Sequence, residues 1–176
     1  MINIVDIQSG NVRTWAKLLE RLLIPYKLVK NPKEIDSKII LLPGVGSAGY
    51  FMDRMKSKGF NKIFQKYKEN NLRIIGVCLG FQLLTDFTQE DGGIQGLGLI
   101  KGYAEKLKKE ERGFSNNGWS SITIRKDEIL NHSFLGSQKL TKKSIVNGRV
   151  FFNHEYGVKL NKSNGKKFFI RKYNLS

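Results

Sequence analysis

The chain contains one cysteine, Cys78, and it lies in a G-x-C-x-G pattern at residues 76–80. An apolar run precedes this pattern and a helical pattern follows it. A nucleophile at a sharp strand-to-helix turn crowds the backbone two residues away on either side, and glycine relieves that crowding. Free N–H groups at the helix start favour a thiolate and can receive a developing oxyanion. The spacing predicts a nucleophilic cysteine, with a buried structural thiol as the alternative.

A second turn has the sequence P-G-V-G, from Pro43 to Gly46. It begins at the end of the segment KIILLPG, Lys38 to Gly44, whose apolar residues 39–42 are typical of a buried strand. Parallel strands gather their carboxyl ends at one edge of a sheet, and chemistry usually lies outside that edge. The P-G-V-G peptide groups are therefore expected near Cys78 as a second source of oxyanion donors. The alternative is an ordinary turn after a strand.

Alternating strand and helix signals must position these turns. Ile2–Ile7 is a β-rich run, and residues 71–78 form another apolar strand that ends at the cysteine. Helical spacing predicts one apolar face formed by Val12, Trp15, Leu18, Leu19 and Leu22. A second helical pattern runs from Phe51 to Tyr67. Strands alternating with helices predict an α/β fold with a mostly parallel central sheet and helices on both faces.

The second half of the chain has a different pattern. After Gly92 the sequence is rich in glycine, and short β-like pieces follow at residues 119–124, 149–158 and 166–173. These pieces predict antiparallel strands or hairpins joined to the parallel sheet. Because no repeat or low-complexity linker interrupts the 176 residues, we predict a single domain spanning 1–176.

Composition limits the functional classes. A single cysteine excludes an intramolecular disulfide, and the N-terminus lacks the charge pattern of a signal peptide. No run of about 18 apolar residues occurs, so we expect a cytoplasmic protein without membrane contact. The net charge of +16 comes mostly from dispersed lysines. Without a nucleic-acid-binding motif, this charge alone does not predict nucleic-acid binding.

Six segments together resemble the class I (triad) glutamine amidotransferases. They are NIVDIQSGNVRT, IILLPGVGSAGYFMDRM, IIGVCLGFQLL, GLGLIKG, NGWSSI and FFNHEYGV, in the family's order and spacing. The G-x-C-x-G-x-Q pattern marks the broad superfamily. The PGVG, GLGLI and GW segments narrow the resemblance to the glutaminase subunit of imidazole glycerol phosphate synthase. The resemblance implies the flavodoxin-like amidotransferase fold with an antiparallel C-terminal part.

The resemblance also implies roles for individual residues. Cys78 attacks the side-chain amide of glutamine, which releases ammonia and leaves a γ-glutamyl thioester for water to hydrolyse. The remaining residues with implied roles are the oxyanion-hole residues Gly44, Val45, Gly46 and Leu79, the substrate-binding residues Gln82, Glu90, His154, Glu155 and Tyr156, and the partner-contact residue Trp119. Without the motif, Gln82 and Glu90 would be interpreted as solvated residues on a helix surface, and Trp119 and Tyr156 as core aromatic residues.

The partner implied by the resemblance is a (β/α)8-barrel cyclase that forms a heterodimer with this subunit. Ammonia passes through the barrel to a phosphorylated ribulose intermediate and yields imidazole glycerol phosphate in histidine biosynthesis. No cofactor and no metal are expected. Two alternatives stay open: a related subunit that serves amidation of surface-polysaccharide sugars, and a catalytically silent relative that only binds a barrel partner.

A cysteine nucleophile needs a histidine base and a carboxylate that orients it. The chain has two histidines, His132 in a polar loop and His154 beside Glu155. Adjacent residues of a strand point to opposite faces, so His154 and Glu155 are not expected to act as that pair. The family's H-P-E segment does not occur among the 176 residues. Either truncation of an intact amidotransferase or natural degeneration would explain the missing segment, and truncation is the favoured interpretation. Without the histidine base, low glutaminase activity is expected.

Overall fold

The structure is a computed structural model that describes residues 1–69, 73–107, 116–125 and 145–161. The helices are α1 (Val12–Arg21), α2 (Ala48–Ser57), α3 (Phe60–Glu69) and α4 (Leu79–Gln82). The strands of the first half are β1 (Ile2–Val5), β2 (Tyr26–Val29), β3 (Ile39–Leu42) and β4 (Arg73–Gly76). The later strands are β5 (Phe87–Thr88), β6 (Ile94–Gln95), β7 (Gly102–Lys106), β8 (Asn116–Arg125), β9 (Ile145–His154) and β10 (Tyr156–Leu160). Short 3₁₀ turns cover Pro32–Glu34 and Glu90–Gly92.

The first four strands form a parallel sheet in the order β2-β1-β3-β4. Asn3 lies opposite Ile40, and Ile40 lies opposite Ile74. The loops that follow β3 and β4 therefore leave neighbouring strands at the same edge. This arrangement confirms the predicted parallel sheet. The sequence reading missed β2, a short strand whose residues are mostly half-buried or exposed.

Side chains alternate between two cores on the two faces of this sheet. Leu41 packs with α1 residues on one face, whereas Ile40 and Leu42 pack with α2 and α3 on the other. The alternation follows from the two-residue period of a strand. The larger core contains Phe51, Met55, Phe60 and Phe64, together with the leucines after the cysteine turn. Helices on both faces are thus confirmed.

Two details of the predicted helices were wrong. The single helical pattern from Phe51 to Tyr67 is two helices, because Gly59 has φ +76° and ends the first of them. The buried face of α1 consists of Val12, Ala16 and Leu19, while Leu18 and Leu22 are exposed. Spacings of three and four residues are compatible with either set of positions. Which set is buried depends on the side of α1 that packs against the sheet.

The later strands form mostly antiparallel sheets of their own within the described residues, with β5 and β7 as a parallel pair. One sheet has the order β10-β7-β5-β6, and β8 pairs with β9 as a two-stranded ribbon. The expectation that these strands join the parallel sheet was therefore wrong for 119–124 and 149–158, whereas residues 166–173 lie outside the described residues. Among the residues described, no helix combines the length and apolar composition required to cross a membrane.

Candidate active site

The cysteine turn lies between β4 and α4. Cys78 is exposed and has φ 51° and ψ −116°, a conformation that side-chain-bearing residues rarely adopt. The flanking glycines are required by close backbone approach. A Cβ atom on Gly76 would lie 2.6 Å from the Phe81 Cα, and one on Gly80 would lie 2.0 Å from the Leu42 carbonyl oxygen. The strained cysteine is held in place by packing that only glycine permits.

The loop Pro43–Gly46 packs directly against this turn. A Cβ on Gly44 would lie 2.3 Å from the Gly80 backbone nitrogen, so the two turns meet backbone to backbone. Gly46 has φ +104°, and nothing lies within 4 Å of the place where its Cβ would be. One end of the loop is thus locked on the cysteine turn, and its other end is open on that side.

A cleft of about 340 Å³ opens beside Cys78. Its lining residues come from both turns, from the 3₁₀ turn that begins at Glu90 and from the junction of β9 and β10: Val45, Gly46, Cys78, Leu79, Gln82, Glu90, Asn153, His154, Glu155 and Tyr156. The structure therefore brings the sequence-predicted site residues together in one cleft, except Gly44, which packs against the backbone of Leu79 and Gly80, and Trp119. Their individual roles stay predictions.

Gln82 and Glu90 form one hydrogen-bonded unit in the cleft. The Gln82 side-chain nitrogen donates to the Glu90 carboxylate at 2.7 Å and to the Thr88 hydroxyl at 2.7 Å. The other Glu90 oxygen accepts the Ala48 backbone N–H at 3.2 Å. Neither residue is a freely solvated helix residue. Polar side chains in such a cleft can exchange these bonds for bonds to a bound amide or ammonium group.

The neighbouring Asp91 binds the start of α2. One of its carboxylate oxygens accepts the Ser47 hydroxyl at 2.5 Å and the Gly49 backbone N–H at 2.8 Å. These hydrogen bonds, first that of Ser47 and then that of Gly49, hold the pKa of Asp91 below its usual range. Asp91 has φ 54° and ψ 36°. Sequence reasoning missed Asp91, since nothing in the local pattern connects it with Ser47, 44 positions earlier along the chain.

His154 and Tyr156 do not lie in one strand. β9 ends at His154, a bend occupies Glu155, and β10 starts at Tyr156. The side chains of His154, Glu155 and Tyr156 therefore do not alternate along a single strand, and all three residues line the cleft. Burial lowers the pKa of His154, opposed by a backbone hydrogen bond with Tyr156. The neutral imidazole is accordingly favoured near pH 7.

The position of Glu155 depends more on a backbone hydrogen bond than on the ion pair of its side chain. Its carbonyl accepts the Leu107 N–H at 2.9 Å. Its carboxylate lies 3.6 Å from the Lys106 ammonium group, and both side chains are exposed. An exposed pair of this kind contributes at most about 1 kcal/mol to stability. The carboxylate is thus available to a ligand in the cleft.

Comparison with known proteins decides the family. The sequence model described as "Glutamine amidotransferase class-I" matches residues 3–174. The chain belongs to the class I glutamine amidotransferase family. Imidazole glycerol phosphate synthase subunit HisH of Bacillus subtilis (strain 168) is 33% identical over 164 residues, which cover 90% of this chain and 72% of that protein. The subunit of the same name from Listeria innocua is 33% identical, covering 89% and 71%.

A solved structure supports the amidotransferase fold. The chain resembles a structure titled "Crystal structure of glutamine amidotransferase" with a TM-score of 0.56 at 19% identity. The match covers 67% of this chain and 62% of the solved one. At this identity the likeness concerns the fold alone, and it confirms the predicted fold class.

The predicted partner-contact residue of this amidotransferase lies on the β8–β9 ribbon, outside the cleft. Trp119 is 62% exposed and packs edge to face against Phe151 at 5.6 Å between ring centroids. The Arg149 guanidinium lies 5.6 Å from the same indole ring. The alternative interpretation of Trp119 as a core aromatic is wrong, and its partner role stays a prediction. His132 lies outside the described residues.

Sequence reasoning also missed Asn153, which lines the cleft next to His154. Asn153 lies opposite Asn117 in the β8–β9 ribbon. The available signal was its position inside the FFNHEYGV segment. An asparagine in a β-like run carries no chemical pattern of its own, so only the fold reveals it.

Proposed function

We propose that this chain is a glutaminase subunit that uses Cys78 to release ammonia from glutamine. The observation that carries the proposal is the strained cysteine at a strand-to-helix turn, exposed to a cleft that backbone donors and polar side chains line. We further propose that residues 1–176 act as one amidotransferase domain. The relatives' name, imidazole glycerol phosphate synthase subunit HisH, supports histidine biosynthesis as the pathway.

The first chemical step joins the Cys78 sulfur to the side-chain carbonyl carbon of glutamine. The carbonyl electron pair moves onto oxygen, and the resulting oxyanion needs hydrogen-bond donors. Leu79 is the first residue of α4, so its N–H has no partner within the helix and is one such donor. The peptide groups of Val45 and Gly46, which line the same cleft, supply the other.

Collapse of this intermediate breaks the carbon–nitrogen bond, and the departing nitrogen takes up the proton that the Cys78 thiol lost and leaves as ammonia. Water then attacks the thioester, releases glutamate and restores the thiol. Gln82 and Glu90 hold the amino-acid end of the substrate through the polar groups that now bond to each other and to Ala48. The segment from His154 to Tyr156 closes the other side of the cleft.

α4 contributes less to this chemistry than a long helix would. It spans only four residues, Leu79–Gln82, so few peptide dipoles add together. Its contribution is therefore the local one of free N–H groups at the turn. This places more of the oxyanion stabilisation on the loop Pro43–Gly46.

We propose a (β/α)8-barrel cyclase as the partner, with the exposed Trp119 and Phe151 at the contact. Large aromatic side chains with an adjacent arginine are typical of residues that carry interface energy. Here that set is Trp119, Phe151 and Arg149, on one exposed ribbon. Ammonia released in the cleft then passes to the cyclase.

The test is glutamate production from glutamine, with and without a barrel cyclase from a HisH-containing synthase. Wild-type protein is compared with Cys78→Ser, which keeps the shape of the turn and removes the thiol. We expect glutamate formation above the Cys78→Ser level and a further increase with the cyclase. Equal rates for the two proteins under both conditions contradict the proposal, and cyclase binding without turnover is the result that a silent binding relative predicts.

A further inference from the structure

The loop that carries the proposed oxyanion donors has two anchors. The first is the backbone contact of Gly44 with the cysteine turn. The second begins at Ser47, directly after Gly46. Between the anchors, Val45 is 46% exposed and Gly46 has no neighbour at its Cβ position. The orientation of the Val45–Gly46 peptide group therefore depends on what holds the two ends.

The second anchor is built from two consecutive acidic residues. Asp91 binds the Ser47 hydroxyl and the Gly49 N–H with a single oxygen, and Glu90 accepts the Ala48 N–H between them. The first turn of α2 thus donates to two carboxylates. Hydrogen bonds from backbone N–H groups to an ionised acceptor at a helix start are stronger than neutral ones.

The two acids differ in what else they bind. Glu90 lines the cleft and also accepts a hydrogen bond from Gln82, so a bound substrate competes for it. Asp91 does not line the cleft, and its bonds link only the 3₁₀ turn and α2. Asp91 can keep the start of α2 in place while Glu90 exchanges partners.

The backbone of Asp91 supports this division. Its left-handed conformation is one that aspartate and asparagine tolerate better than other side-chain-bearing residues. Gly92 and Gly93 follow with positive φ angles, so the turn is shaped to bring the Asp91 carboxylate back to α2. A Cβ on Gly49 would lie 3.4 Å from the Asp91 carboxylate, which shows how closely the turn approaches the helix.

We propose that Asp91 is a positioning residue, which holds the Ser47 end of the Pro43–Gly46 loop and so fixes the Val45–Gly46 peptide group in the cleft that Cys78 also lines. This inference rests on the proposed glutaminase function for its chemical consequence. The positioning itself depends only on the contacts of Asp91 with Ser47 and Gly49. The two parts are therefore tested by different measurements.

The chemical measurement uses the chloromethyl ketone analogue of glutamine. The Cys78 sulfur displaces chloride and forms a carbon–sulfur bond, while the ketone oxygen occupies the place proposed for the oxyanion. The limiting rate of labelling at saturating analogue reports oxyanion positioning, and the half-saturating concentration reports recognition of the amino acid. Iodoacetamide, which lacks the glutamine frame, reports the reactivity of the thiol alone.

Two variants test the anchor from its two sides. Asp91→Asn removes the charge and keeps a residue that tolerates the left-handed backbone, and Ser47→Ala removes the hydroxyl that donates to Asp91 and accepts the Tyr50 N–H. In each we expect the limiting rate to fall about 3- to 10-fold, less than loss of a whole oxyanion donor. The half-saturating concentration should change less than about twofold, and the iodoacetamide rate should not change.

The structural measurement is amide hydrogen exchange at Ala48 and Gly49. Both variants should exchange these amides at least about fivefold faster than wild type, because the local closing bonds are weakened. The matched control is Asp36→Asn. Asp36 also accepts side-chain hydrogen bonds, from Lys27 and Asn3, but it precedes β3 at the other end of the sheet. Exchange at 48 and 49 should be unchanged in this control.

The inference is overturned if both variants label at the wild-type limiting rate and exchange like wild type. It is also overturned if iodoacetamide labelling falls in the same proportion, since the thiol itself is then altered. If wild type shows no saturation with the glutamine analogue, the proposed function fails instead. In that case amide exchange alone decides whether Asp91 positions the loop.

Discussion

Replacing Gly80 with alanine tests the packing that creates the nucleophile turn. The added Cβ would lie 2.0 Å from the Leu42 carbonyl oxygen and 2.9 Å from its carbonyl carbon. An ordinary contact at this type of position is 3.4 Å or longer, so the turn and β3 must separate by about 1.4 Å. Both obstructing atoms are backbone atoms of a paired strand, which a rotamer change cannot move.

We expect Gly80→Ala to lower the free energy of unfolding by at least about 3 kcal/mol, the upper end of overpacking costs. With a urea slope of about 2 kcal/mol per molar, the midpoint of unfolding falls by about 1.5 M. The matched control is Gly49→Ala, the same chemical change at the start of α2. Its Cβ would meet nothing closer than 3.4 Å, so its effect should stay within about 1 kcal/mol.

Urea unfolding followed by circular dichroism measures both variants, and labelling by the glutamine analogue follows the site. A Gly80→Ala protein that unfolds within 1 kcal/mol of wild type and labels at the wild-type rate would refute the reasoning. It would show that the loop Pro43–Gly46 does not depend on backbone contact with the cysteine turn.

Three further results are expected. NMR titration should give His154 a midpoint below pH 6.5, because burial disfavours the imidazolium. The free energy of unfolding should then fall as the pH drops from 6.5 through that midpoint, because the unfolded chain binds the proton at a higher pH than the folded chain does. A midpoint at or above 6.5 contradicts this prediction. Asn3→Ala should lower the free energy of unfolding by about 2–4 kcal/mol, because the Asp36 and Ser37 backbone N–H groups lose their acceptor. Labelling of Cys78 should stay unchanged. Equal urea midpoints for the variant and the wild type would contradict this prediction. Trp119→Ala should change stability by less than about 1 kcal/mol but weaken cyclase binding at least about tenfold in calorimetry, and unaltered affinity would remove this residue from the proposed contact.

The local parts of the site could be predicted from the sequence. The G-x-C-x-G spacing around Cys78 is a short-range signal of a strained turn, although the atoms that exclude a Cβ at Gly80 belong to the distant Leu42. The parallel sheet was equally accessible, since alternating strands and helices leave few possible topologies. The family resemblance then added the cleft residues from Gln82 to Tyr156, which no local pattern connects.

The parts that failed depend on contacts distant in sequence. The anchor formed by Asp91 and Ser47 is invisible until the 3₁₀ turn folds back onto α2. The exposure of Leu18 and Leu22 depends on which side of α1 meets the sheet. The bend at Glu155 turned one predicted strand into two, because strand propensity does not reveal where the hydrogen-bonding partner changes.

The two cores on opposite faces of the parallel sheet support the cysteine turn unequally. The core on the α1 face, with Ala16 and Leu19, contacts the turn through Val77, whereas Leu79 and Leu83 belong to the other core. Substitutions on the α1 face that preserve the packing of Val77 can therefore accumulate during adaptation to a new growth temperature without retuning the nucleophile. An engineer who seeks a more heat-resistant amidotransferase has the same freedom on that face.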